Sequence, residues 1–399
     1  MDFKFLGYDF DKENMTAVFR YQGKDGITFS EKAVFSKEGM IDYDEKELDE
    51  ALFLASVILG TSYYKVAPTR KVVLGRKITK KQAEFFNAIY QEGMSQFAFE
   101  NQLKRGDLAD FTEYVGDDLE IKPKNDKRTD DLILALVSGG KDSLLLAEIL
   151  KEEKANFRVL YIAGVDGNHP DVIRDFGEPM VIRRFIDKEG LKKANGLNGH
   201  VPITLINEVL ALIQAILIGA NKIELGVGRE GLEPHAWIDD LPVNHQWSKT
   251  EEAQDMLKNY IKSFIDSDIS IGSVLDSLTE LEIAKEFAEK CWDKYGRRFS
   301  SCNLANYRQG ADNKQLKWCG ECAKCANSYL LFAPFVPFSE QEDMFGRDLF
   351  SDPKLVDTFK GLLGVDGVMK PFECVASVEE LRWAYQNRLP GYGKLPFDV

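Results

Sequence analysis

The run Ser138-Gly139-Gly140-Lys141-Asp142-Ser143 places two hydroxyls, an ammonium, a carboxylate and two glycines within six positions. It follows the apolar stretch Leu132–Val137 and precedes Leu144–Leu150, so it reads as a turn between a buried strand and a helix N-terminus. Such a turn aims free backbone N–H groups and the positive end of a helix dipole at one point, which is an anion site. The glycines admit an anion close to the backbone, the serines add donors and Lys141 adds a full charge. The spacing is not GxxxxGK[ST]. The competing reading is a βα turn in which Asp142 and Ser143 serve only as helix caps; six matching positions in this context weigh against it.

A second set of reactive side chains lies downstream. Cys302, Cys319, Cys322 and Cys325 form C-x16-C-x2-C-x2-C. Three cysteines within seven residues put their sulfurs around a tight turn, and Cys302 closes a tetrahedral Zn²⁺ site. A closed site leaves no position for substrate, so the ion would be structural. A [4Fe–4S] cluster uses the same ligands and spacing does not choose between them; unligated reduced thiols are the third reading. Cys291, beside Trp292 in an amphipathic pattern, reads as core.

The groups able to move a proton are His200, His235, His245, Lys249, Glu373 and Cys374. His245 sits in the polar run Asn244-His245-Gln246, which favours a site over a core histidine. Lys249 suits phosphate or carboxylate binding, and acts as a base only where burial lowers its pKa. Glu373-Cys374 follows Pro371 in a segment without a packing pattern. Cys374 is either a thiolate base or a small buried hydrophobe. His169, before Pro170, reads as a loop residue.

The elements that must position these groups are legible in outline. Residues 3–36 alternate apolar and polar positions as a small antiparallel meander, and helical patterns follow at Glu45–Leu59 and Thr79–Glu92. Residues 107–130 are polar and charged and read as a linker. From residue 131 a doubly wound α/β pattern with a parallel sheet begins, with strands at Leu132–Val137, Phe157–Ile162, Glu178–Arg183 and Lys222–Val227. Thr204 is the expected N-cap of a helix after Asn198–Ile203. Gly226-Val227-Gly228-Arg229-Glu230 closes a strand at the ligand-facing edge, where Arg229 either contacts phosphate or is a solvated loop residue. The expected organisation is an N-terminal β-plus-helix domain (1–106), the linker, a nucleotide-binding α/β domain (131–342) and a helical C-terminal segment (343–399).

Composition narrows the classes. A formal net charge of −14 over 399 residues opposes a nucleic-acid surface, which needs clustered Lys and Arg. The start lacks a basic region followed by an apolar core, so no signal peptide is expected. The longest apolar stretch, 205–220, is too short and too polar for a bilayer. Six cysteines crowded toward the C-terminal half suit a reducing cytoplasm.

The loop at 138–143 resembles the SGGxDS loop of the PP-loop ATP pyrophosphatases, although Ser138 stands where many relatives have glycine. The resemblance implies that ATP is bound and split between its α- and β-phosphates, with the diphosphate held by this loop. It also implies that Tyr161–Asp166, including Gly164, reads adenine through backbone groups, that Gly228 and Arg229 face the nucleotide, and that Asp142 meets Mg²⁺ directly or through water. Within that superfamily, Gly199–Thr204, Val243–Thr250 and Lys370–Val375 resemble the MurL-type epimerases, as do Tyr63-Tyr64-Lys65, Phe97–Asn101 and Phe332–Phe335. That family inverts the terminal glutamate of UDP-N-acetylmuramoyl-L-alanyl-L-glutamate at the expense of ATP, giving AMP and diphosphate. The alternative is a ligase of the 7-cyano-7-deazaguanine synthase type, which has a similar cysteine site but lacks the N-terminal meander. A tRNA-thiolating enzyme is opposed by the acidic charge. A non-enzymatic ATP-binding module would leave the cysteines and the 244–249 motif without purpose.

Overall fold

The computed structural model describes residues 2–112, 131–229, 233–266, 268–307 and 313–399; most of the expected linker lies outside them, as does Glu230. The strands are β1 Phe3–Asp11, β2 Thr16–Gln22, β3 Thr28–Val34, β4 Val72–Val73, β5 Ile133–Leu136, β6 Phe157–Ala163, β7 Met180–Phe185, β8 Lys222–Glu224, β9 Ala236–Ile238, β10 Leu241–Val243 and β11 Ser270–Gly272. Nine of them form one sheet in the order β11-β8-β5-β6-β7-β3-β2-β1-β4, and β9 and β10 form a separate hairpin. The neighbours from β11 to β7 run parallel, whereas β7, β3, β2 and β1 pair antiparallel. The N-terminal meander is therefore not a separate sheet. β3 hydrogen-bonds β7 from Lys32–Phe185 to Val34–Arg183, and buried Glu31 meets Arg184 at 2.5 Å nearby.

Alternation explains why the sheet must be covered on both faces. Leu134, Leu160, Ile182 and Ile223 point into one core, while Ile133, Ala135, Val159 and Tyr161 of the same central strands point into the other. The first core is filled by the meander and by the helices Glu45–Tyr64, Lys80–Gln91 and Ile203–Ile218. The last of these is apolar on nearly every side, and it is a buried core helix. Among the described residues, no helix is long and apolar enough to cross a membrane. The second core takes the helix Lys141–Glu152, the cysteine-bearing segment and the C-terminal helices Phe338–Phe345, Val356–Leu363 and Val378–Gln386.

Two local expectations need correction. The strand expected at 222–227 ends at Glu224, so Leu225–Arg229 form a loop. Thr204 does not cap its helix, which begins at Ile203 after Pro202 and has no side-chain cap; Thr204 faces a cavity instead. Thr79 does act locally, forming a reciprocal capping box with Gln82.

Candidate active site

The chain leaves β5, builds β6 and β7 on one side, then returns to place β8 on the other side of β5. Strand order reverses between β5 and β8, and a crevice opens there beyond the strand C-termini. The 138–143 loop lies at that point. Gly139 takes φ +91°, and a Cβ there would sit 2.6 Å from Leu316 Cδ1. Ser143 Oγ accepts from the N–H groups of Ser138 and Gly139, both at 3.1 Å, which curls the loop around the start of the helix. A Cβ on Gly226 would come within 2.7 Å of the Asp142–Ser143 peptide, so the β8 loop packs directly on the helix N-terminus. The resulting cavity of about 630 Å³ is lined by Ser138, Ser143, Gly164 and Lys249. Arg184, Asn207, Asn303 and Tyr307 also line it, and no short motif marked them.

Lys141 does not reach into this cavity. Its ammonium is buried, 2.6 Å from Asp142 and in a close ion pair with buried Glu280, whose carboxylates hold it charged despite burial. The phosphate-facing charge expected of Lys141 is thus spent on a structural pair. Gly228 packs against Ile283 and Leu278. Arg229 is exposed and lines two neighbouring cavities, the larger of about 530 Å³ with Glu233, Gln246 and Trp383. Neither residue lines the cavity of the 138–143 loop.

The four cysteines converge. Their Sγ atoms lie within 4.8 Å of one another, with Cys302–Cys322 at 3.7 Å and Cys319–Cys325 and Cys322–Cys325 at 3.6 Å. They are the sole such group of metal-ligating side chains among the described residues. A tetrahedral ion with bonds of about 2.3 Å to sulfur needs sulfur–sulfur edges of about 3.8 Å, and the set fits. A four-iron cube binds each thiolate to a different iron and would hold them farther apart. The segment that carries Cys302 also braces the 138–143 loop. Ser300 N–H donates to Gly139 O at 3.3 Å, Tyr307 Oη reaches Ser138 O at 3.4 Å, and a Cβ on Gly140 would sit 2.9 Å from Ser301 Oγ. Cys291 is buried in the second core, as its pattern implied.

Three of the chain's four histidines meet in a cluster, and none of them lines the cavity of the 138–143 loop. The rings of His200 and His245 lie 4.5 Å apart, those of His235 and His245 6.4 Å apart, and Phe372 stacks on His235 at 5.1 Å. Burial pushes all three below the ordinary imidazole value, His200 to about 3 and His235 and His245 to about 4. The charge of Glu373 opposes this at His245, and those of Lys324 and Lys249 reinforce it. His245 Nδ1 lies 2.7 Å from Gln96 Oε1, a partner 149 positions away. Glu373 is held by Asn303 Nδ2 at 3.5 Å, directly after Cys302. Cys374 is a half-buried free thiol. The fourth histidine, His169, is a loop residue but a buried one.

The fold and site define a mixed α/β protein with a large, mostly parallel sheet, a glycine-bearing strand–turn–helix junction, four converging cysteines on the segment that braces it, and a cluster of three histidines. Residues 1–273 match the family model described as the MurL N-terminal domain, and residues 298–389 match the MurL C-terminal domain. The chain belongs to the MurL family. It is similar to three proteins named UDP-N-acetyl-alpha-D-muramoyl-L-alanyl-L-glutamate epimerase. That of Micromonospora sp. is 33% identical over 95% of this chain and 84% of its own length. That of Salinispora tropica is 32% identical over 95% and 82%, and that of Xanthomonas oryzae pv. oryzae 29% identical over 84% and 74%.

Proposed function

We propose that this chain is a cytoplasmic, ATP-dependent epimerase of the PP-loop pyrophosphatase type. It inverts the α-carbon of the terminal glutamate in UDP-N-acetyl-α-D-muramoyl-L-alanyl-L-glutamate, a peptidoglycan precursor. The relatives' shared name supports the substrate. The observation that carries the mechanism is that Lys249, four residues after His245, lines the cavity of the 138–143 loop. His245, Glu373 and Cys374 do not line that cavity themselves; Lys249 and Asn303, which contacts Glu373, connect them to its wall.

An α-proton beside a carboxylate is very weakly acidic, because its removal puts more negative charge next to an anion. Bound ATP would supply the remedy, transferring its adenylyl group to the carboxylate and releasing diphosphate. Glycines at 139, 140 and 226 let the loop pack closely on its protein neighbours, since a Cβ at any of the three would strike one, and the helix N-terminus so placed suits such phosphates. Mg²⁺ carried on the phosphates would meet Asp142, the one carboxylate of the loop. Lys249 holds the anionic groups at the cavity wall. His245, neutral in its buried setting, takes the α-proton. Glu373 or Cys374, on the C-terminal segment, returns a proton from the opposite face, and water would then cleave the adenylated carboxyl group to give AMP and the inverted glutamate carboxylate. Cys302, Cys319, Cys322 and Cys325 would hold a Zn²⁺, which would fix the 300–307 segment and with it the 138–143 loop and Asn303 beside Glu373.

The test is incubation with ATP, Mg²⁺ and the muramoyl dipeptide in heavy water. AMP and diphosphate release with deuterium at the glutamate α-carbon is expected. Release with ammonia incorporation would point to a ligase, and release without deuterium would exclude epimerisation.

A further inference from the structure

We propose that Gln96 is a positioning residue that fixes His245 as the Nδ1–H tautomer, leaving the lone pair on Nε2 as the proton acceptor. The base role rests on the epimerase reading above; the tautomer rests on geometry alone. Gln96 is buried, on the short helix Ser95–Glu100, and its side chain has two partners. Its Nε2 donates to Glu100 Oε1 at 2.8 Å, and its Oε1 lies 2.7 Å from His245 Nδ1. A carboxylate oxygen accepts, so the amide nitrogen must face Glu100. Turning the amide over would set two acceptor oxygens 2.8 Å apart. The amide oxygen that consequently faces His245 carries only lone pairs, so the proton between them belongs to Nδ1. A neutral imidazole has one N–H, and Nε2 is left basic.

The surroundings hold this arrangement in place. Glu100 lies against the turn that carries His200, where a Cβ on Gly199 would be 3.2 Å from its Oε2. Asn101 Nδ2 donates to Asn198 O at 3.0 Å and Lys65 Nζ to Gly199 O at 3.1 Å, pinning the same turn. Glu100 thus orients Gln96, and Gln96 orients His245.

With four histidines, the full chain labelled with ¹⁵N-histidine gives a readable spectrum, and His245→Gln assigns the His245 signals. The wild type should show a protonated Nδ1 and an unprotonated Nε2 at His245. In Gln96→Leu the Nε2–H form should appear and kcat fall by roughly 10²-fold, the scale of a lost general base. The KM for ATP should not move. Glu100→Gln, a gentler change that lets the Gln96 amide turn over, should give the same tautomer mixture with a smaller loss in kcat. An unprotonated Nδ1 in the wild type overturns the proposal, as does Gln96→Leu with tautomer and kcat unchanged. Full deuterium wash-in by His245→Gln, with Nδ1–H confirmed, overturns the base role alone.

Discussion

At pH 5.5 His245 should still be an unprotonated base, and the acid limb of catalysis should lie well below the ordinary imidazole range. The perturbation is burial first of all. The charges around the ring largely oppose one another, Glu373 and Glu100 favouring its protonated form and Lys324 and Lys249 disfavouring it. The outcome is a pKa near 4 against the usual 6.5. At pH 5.5 an ordinary histidine would be about 9% neutral, whereas one titrating near 4 is about 97% neutral, an approximately tenfold difference in available base. The sign follows from the role: protonation removes the acceptor, so activity falls as pH drops through the free-enzyme pKa. The assay is kcat/KM for α-deuterium exchange between pH 4.5 and 8 at saturating ATP, with the same histidine titrated by NMR. A His245 signal titrating near 6.5, with exchange falling tenfold by pH 5.5, would refute the reasoning that burial controls this group.

Three further outcomes follow from the same structure. Lys141→Met takes the cation from beside buried Glu280 and should cost about 3–5 kcal/mol in chemical unfolding; Lys141→Met with Glu280→Leu should recover most of that. Buried Glu208, accepting from Gln254 at 2.8 Å, is pushed up to about 8 by desolvation. Its raised folded-state pKa means that its contribution is fully present below the unfolded value near 4.5 and is lost as pH rises through about 8, at roughly 1.4 kcal/mol per unit. Glu208→Gln should therefore gain on the wild type between urea unfolding at pH 5 and at pH 8, and an equal difference at both would contradict this. On the proposed function, chelation or Cys319→Ser should weaken ATP binding by about tenfold, roughly 1.4 kcal/mol, because the 300–307 segment braces the 138–143 loop. Atomic spectroscopy should find one zinc and no iron per chain, and calorimetry should register the lost affinity.

Much was legible wherever the physics is local. Ser138–Ser143 had to be a strand–turn–helix junction, because an apolar run, two glycines and a helical run leave the backbone few other courses. The cysteine spacing of three within seven residues already brought their sulfurs near one another, and they do meet. The apolar helix at 203–218 was separable from a membrane span by its length and polar residues, and it proves to be core.

What the tertiary structure decided depends on partners far apart in the chain. Lys141 sits in the loop by sequence, but Glu280 lies 139 positions away, and a buried carboxylate captured its charge. The meander could have been its own sheet; strand β7 offered an open edge, and unpaired backbone groups made joining it favourable. His200, His235 and His245 carry no mutual spacing signal, and Gln96 no signal at all, since packing of the hairpin, the 199–202 turn and the Ser95–Glu100 helix brings them together. Local spacing therefore determined the strand–turn–helix junction at 138–143 and the closeness of the cysteines. Only long-range packing decided which charge faces the cavity and which nitrogen of His245 is free to take a proton.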